Sequence, residues 1–173
     1  MYVNQRDKRG AGVQGHNAEK LFVDEFEKRG YTVTRSEVES DIHDHIDYTL
    51  CKRNNKATID VKSEKDETKV YIEFKNVRGN TGWLYGKQDY IAFVFKDEII
   101  LVKRKILSEY MESAMDISVK PMKASIEQYY DFYEDEAFYL LLQRYGRKDE
   151  LALIPREDLY KLKNVYTLKI RKS

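Results

Sequence analysis

Apolar and polar positions change their spacing along this chain, and the changes mark out its elements. Ala18, Leu21, Phe22 and Phe26 recur at three- and four-residue intervals, Asn17 can cap the start and Gly30 can stop the end, which predicts a helix over residues 17–29. Four runs with strand-like patterning follow at 31–38, 45–52, 56–64 and 69–76, broken by polar stretches such as Arg53-Asn54-Asn55 and Lys65-Asp66-Glu67. Such runs in quick succession predict a meander. A glycine-rich segment, 79–86, leads to two more strands at 90–95 and 98–102, joined at Lys96-Asp97, then to a helix over 104–114. Beyond Pro121, the apolar stripe of Ile126, Tyr129, Tyr130, Tyr133, Ala137, Leu140 and Leu141 predicts an amphipathic helix over 125–144, stopped by Gly146. A short strand at 151–154 and a helix over 156–162, entered through Pro155, close the pattern.

The fold class expected is α/β, with a mixed central sheet flanked by helices. Residues 1–15 carry Arg6, Lys8 and Arg9 among three glycines and predict a flexible basic arm, either a solubilising tail or a phosphate contact. Residues 16–173 then form a single domain, for which the length of 173 is suited.

Composition narrows the functional classes. A hydrophobic share of 42% argues for a packed core rather than a disordered chain. Basic and acidic side chains nearly balance, 31 against 30, so affinity for nucleic acid has to come from local clustering. Cys51 stands alone, which removes internal disulfides and cysteine-built zinc sites. No run approaches the ~20 apolar residues of a membrane span, and no signal-peptide pattern opens the chain, so a soluble cytoplasmic protein is expected.

The chemistry concentrates in two neighbouring strands. In Ile59-Asp60-Val61-Lys62 the alternation of a strand puts Asp60 and Lys62 on one face and the two apolar residues on the other. Asp47 sits between Ile46 and Tyr48, and antiparallel pairing through the short connection would bring its carboxylate beside that of Asp60. Two carboxylates held that close repel unless a cation lies between them, and oxygen-only ligands favour a hard ion such as Mg2+, with Mn2+ able to substitute. Lys62 is placed to contact an attacking water or a phosphate, the chemistry of phosphodiester hydrolysis. Glu19 falls on or beside the buried stripe of the first helix, as an inward carboxylate or as a surface residue at the stripe's edge. The plainer reading of the D-x-K triplet is a solvated strand face carrying an ion pair.

A helix with an inward glutamate, a strand after a glycine, an aspartate strand and then a D-x-K strand is the element order of the PD-(D/E)xK nucleases. Over residues 16–106 the chain resembles that superfamily, in particular its Holliday-junction-resolvase-like and small phage-encoded members. Val70-Tyr71-Ile72-Glu73-Phe74 and Gly82-Trp83-Leu84-Tyr85-Gly86-Lys87-Gln88-Asp89-Tyr90 extend the likeness, as does Leu153-Ile154-Pro155-Arg156-Glu157-Asp158-Leu159. The resemblance implies a restriction-endonuclease-like fold and a Mg2+-dependent deoxyribonuclease. Asp47, Asp60 and the Val61 carbonyl would be metal ligands, Lys62 the catalytic lysine and Glu19 a further candidate. DNA is the implied partner, in duplex, junction or flap form, with no small-molecule cofactor, and a homodimer is the natural way for so small a nuclease to cut two strands. Two departures stand out: Ile46 replaces the proline of the motif, and Asp60 is the shorter acid at the D/E position. The alternative is a non-catalytic nucleic-acid-binding protein on the same fold.

Asp60 precedes Glu73-Phe74-Lys75 by the spacing that separates Asp47 from Asp60, so the motif can also be drawn one strand later. The first assignment is preferred because it keeps the strand order after the Glu19 helix; Glu73 and Lys75 then support the site or form an ordinary ion-paired strand face. His43 and His45 lie on the Asp47 side of their run, as site neighbours or a polar strand edge, and His16 suits a helix entry. Trp83 is read as core packing in preference to a wedge into DNA, Lys87 and Gln88 as a loop or a phosphate contact, and Lys103-Arg104-Lys105, the densest basic patch, as a contact to DNA backbone or a sheet-edge cap.

Overall fold

The computed structural model describes residues 5–37, 43–64 and 66–170, with side chains from Gly15 onward. The first helix, α1 (Gln5–Glu27), begins well before Asn17, so the backbone of most of the segment expected to be a loose arm is helical. Strands β1 (Thr32–Arg35), β2 (Tyr48–Lys52) and β3 (Asn55–Ser63) form the expected antiparallel meander. Arg53, at φ 55°, helps turn the chain between β2 and β3. The fourth run forms β4 (Lys69–Lys75), but it leaves the meander altogether.

After one 3-10 turn at Trp83–Tyr85, β5 (Tyr90–Val94) enters parallel to β3, and β6 (Glu98–Lys103) returns antiparallel. Helix α2 (Arg104–Ala114) follows directly. Then come β7 (Met122–Ala124), α3 (Ile126–Glu134), β8 (Leu142–Arg144), β9 (Glu150–Pro155), the single-turn helix α4 (Arg156–Leu159) and β10 (Tyr166–Lys169). Two sheets result: β1-β2-β3-β5-β6-β10, and β4-β9-β8-β7. Both mix parallel and antiparallel pairs, as an α/β fold with helices against its sheets.

Alternation along the strands decides which layer lies on which face. Tyr48, Leu50, Ile59, Val61, Ala92, Val94 and Leu101 point one way and bury Ala18, Phe22 and Phe26 of α1. Phe22 is wholly buried, a side chain whose removal from water contributes roughly 1.5–3 kcal/mol. Ile91, Phe93, Ile100 and Val102 point the other way, onto Val70, Ile72 and Phe74 of β4, Ala152 and Ile154 of β9, and Leu107 and Met111 of α2. Tyr71 and Leu151 contribute to a third cluster, which packs against Tyr129 of α3.

The helix expected over 125–144 ends at Glu134, although its start is sharp, with Ser125 and Gln128 forming a reciprocal capping box. Glu134-Asp135-Glu136 put three carboxylates at the negative end of the helix dipole. Glu136 (φ 53°) and Tyr139 (φ 58°) then turn the backbone out of helical geometry. Leu142 and its neighbours pair as strand instead.

Candidate active site

Asp60 and Lys62 project from β3 on the face opposite Ile59 and Val61, as alternation requires. That face is not solvated: Asp60 is 1% exposed and lies beneath the 83–88 segment. Lys62 Nζ stands 2.7 Å from Asp60 Oδ1 and 5.4 Å from the centre of the Trp83 ring. Trp83 itself is buried and meets Phe93 edge-on, so it packs the core and at the same time offers Lys62 an aromatic face.

Asp47 lies just before β2, where the β2–β3 ladder gives out. The last paired residues are Tyr48 and Ile59, and β3 runs on to Ser63 without β2 beside it. At the end of the ladder Asp47 replaces backbone with side chain: its own N–H donates to the Ile59 carbonyl at 2.9 Å, and its Oδ2 accepts the Val61 N–H at 2.7 Å. In a strand the N–H and C=O of one residue point to the same side, so the Val61 carbonyl also faces the Asp47 side. Two carboxylates and one carbonyl therefore border the gap where the strands part.

The charges in this gap work on one another. Burial, with the neighbouring Asp47 carboxylate, pushes Asp60 up to about 7 against the partial relief that Lys62 gives. Burial opposes the Lys62 ammonium as well, yet Asp60, Asp47 and Glu73 together outweigh it and raise the Lys62 pKa. Glu64, just beyond β3, is held well above the ordinary carboxylate range by burial, despite Lys62 and a hydrogen bond from the Tyr71 backbone. At neutral pH Asp60 is thus poised between its protonated and ionised forms.

Gln88 completes the pocket. It is 2% exposed, its amide nitrogen donates to the Trp83 carbonyl at 2.6 Å and reaches Asp60 Oδ2 at 3.4 Å, and its Oε1 has no partner among the described residues. A Cβ on Gly86 would run into that oxygen and into His45 Cβ, so the glycine is there to let the amide in. Reading the sequence left Gln88 as a loop residue or a phosphate contact; only its burial shows that it lies against Asp60.

Other candidates fall elsewhere. Glu19 accepts from the hydroxyl of Tyr48, the residue after Asp47, at 2.9 Å and sits 3.4 Å from Arg35, with no hydrogen bond or ion pair to Asp47, Asp60 or Lys62 among the described residues. No three acidic, histidine or cysteine side chains among the described residues gather closely enough to hold an ion by themselves. His45 is tied to the Thr81 carbonyl at 3.3 Å, and His43 and His16 are exposed. Glu73 and Lys75 belong to β4, which pairs with β9 and not with β3; Glu73 is still near enough for its charge to help raise Lys62, while Lys75 closes on Glu150 at 2.7 Å. The motif drawn one strand later thus has no cross-strand partner in Asp60. Arg6, Lys8 and Arg9 lie among residues whose side chains are not described.

No helix among the described residues is long and apolar enough to cross a membrane. Comparison with protein-family models, with curated proteins and with solved structures finds no match for this chain.

Proposed function

We propose that this chain is a metal-dependent deoxyribonuclease built on a restriction-endonuclease-like fold. One observation carries the reading: where β2 stops and β3 continues, Asp47 and Asp60 lie side by side with Lys62 2.7 Å from Asp60. The element order agrees, since α1, a strand after Gly30, the Asp47 strand and the Asp60-Val61-Lys62 strand follow one another as in the superfamily the sequence resembles.

The donors bordering the gap fit a hard divalent cation. Two carboxylates and the Val61 carbonyl supply oxygen only, and the elevated Asp60 pKa is what a cation brought between two acids would relieve. Asp47, Asp60 and the Val61 carbonyl would hold Mg2+ or Mn2+, with water and phosphate oxygens completing the shell. When bound, the ion lowers the pKa of a coordinated water and neutralises charge on the phosphate. Lys62, 26% exposed, is reachable by a scissile phosphate, to whose oxygen its ammonium would donate a hydrogen bond. Gln88 orients the Asp60 carboxylate, and Trp83 covers Lys62 from the core side. Two chains acting as a homodimer would cut both strands of a duplex.

The rival reading is a nucleic-acid-binding protein without catalysis, favoured by the closed Asp60–Lys62 pair. Incubating labelled duplex, single-stranded, flap, four-way-junction and RNA substrates with Mg2+ or Mn2+ separates the two. Cleavage lost in both Lys62→Ala and Asp60→Asn is the expected result; a well-folded wild type that cuts none of them in either ion would establish the rival.

A further inference from the structure

A second recess, of about 890 Å³, opens at the end of the six-stranded sheet where β3 and β5 begin and β6 ends. Its walls carry six cations, Arg29, Lys56, Lys87, Lys103, Arg104 and Lys105, against one acid, Asp89. In a chain whose charges balance at 31 to 30, that six-to-one concentration is a local field for a polyanion. Three of the cations are already engaged. Arg29 is 2.6 Å from Glu25, Lys87 is 2.8 Å from Asp44, and Arg104 donates to the Leu84 carbonyl. Lys56 and Lys103 have no carboxylate partner among the described residues, and Lys105 stands 3.9 Å from Glu109.

The floor of the recess is apolar, with Phe26, Leu50, Ile59 and Leu101. Tyr31, Tyr90 and Tyr166 add aromatic rings; Tyr90 and Tyr166 meet edge-on at 6.2 Å, and Tyr166 keeps 56% of its surface exposed. A cationic rim over an aromatic and apolar floor is the chemistry that holds unpaired nucleotides, by phosphate contact above and base stacking below. The volume is that of a ligand cleft, far short of what a double helix would need. Gln88 lines the recess and also reaches Asp60, so the recess and the candidate active site share a wall.

We propose that this recess binds a single strand of nucleic acid beside the candidate active site, so that the preferred substrate carries an unpaired segment. That preference rests on the nuclease reading; the binding does not. The test therefore measures binding apart from cleavage. Fluorescence anisotropy in EDTA compares a labelled oligodeoxythymidylate of about 12 nucleotides, within the site sizes such grooves cover, with a duplex of equal length. The single strand should bind more tightly than the duplex. Tyr166→Ala should weaken the single strand roughly tenfold, the loss of one stacked base. Lys56→Gln with Lys103→Gln should lower the magnitude of the salt slope by about 1.4, two phosphate contacts at about 0.7 each. Melting curves check that both variants fold, and Lys105→Gln, at an exposed helical position, provides a second charge variant. Equal binding of single strand and duplex, or wild-type affinity in the folded variants, overturns the proposal. So does a change in sedimentation without a change in binding, which would make the recess a contact between copies of the chain. If cleavage of every substrate fails while this binding stands, the nuclease reading falls and the recess remains.

Discussion

Replacing Asp60 by asparagine tests whether the candidate site is held together at a cost to the fold. The carboxyl is raised from its ordinary 3.8 to about 7, a displacement of about three pH units, each equivalent to 1.36 kcal/mol. A folded-state pKa above the unfolded one gives stability that is fully present below 3.8 and lost as pH rises through 7. Ionising Asp60 inside the fold thus costs up to roughly 4 kcal/mol by pH 8, and water entry and relaxation should leave about half of it. Asparagine keeps the shape and cannot ionise. Whatever it loses in neutral contacts is the same at every pH, so the difference between variant and wild type must move in the variant's favour between pH 4 and pH 8. About 2 kcal/mol corresponds to roughly 4–8 °C in Tm for a chain of this size. Thermal melts in EDTA across that range measure it. A difference that stays flat, or that moves toward the wild type as pH rises, refutes the argument and makes Asp60 a structural anion held by Lys62.

The same melts with added Mn2+ should raise the wild-type Tm and leave Asp60→Asn unmoved; saturation at a hundredfold over Kd contributes about 2.7 kcal/mol. Gly86→Ala should destabilise by about 1–3 kcal/mol, read by urea denaturation, because its Cβ overlaps Gln88 Oε1 and the buried amide has little room to shift. Arg156 joins Glu98, 1% exposed, to Asp97 and Glu67. Arg156→Ala leaves the buried Glu98 to Lys169, at 2.7 Å, and to the Tyr160 hydroxyl, and should cost about 1–3 kcal/mol in the same assay. Ser125→Ala removes one half of the α3 capping box and should cost about 1 kcal/mol.

The parts of the fold legible in the sequence were those whose pattern repeats locally. Phe22 and Phe26 at helical spacing gave α1, Ile59 and Val61 at period two gave β3, and the same alternation placed Asp60 and Lys62 together. Asp47 could be paired with Asp60 because their strands are sequence neighbours. Partnerships made far along the chain were illegible. Nothing local in Val70, Ile72 and Phe74 says that they pair with β9 rather than β3. β10 buries no residue fully and only half-buries Leu168, so an edge strand left no periodic trace. The tyrosine stripe of α3 overran because its apolar period continues into residues that pair as β8, while the acidic stop at 134–136 is a weaker signal than glycine. The place of Gln88 was missed for the same reason as the pairing of β4: its partner Asp60 is brought to it by tertiary packing.

The pairing of β4 with β9 also sets an order of events. Lys69 lies opposite Pro155, so β4 cannot find its place until residues 150–155 have been synthesised, whereas β2 and β3 meet across a two-residue turn. Long-range pairing of this kind is slow relative to hairpin closure. During synthesis the two aspartates would come together early, and the segment carrying Trp83 and Gln88 would follow once β5 pairs with β3, while β4 waits for β9. A chain still being made would hold its acids before the layer behind Trp83 is in place, since Val70, Ile72 and Phe74 settle only when residues 150–155 are there to pair with them.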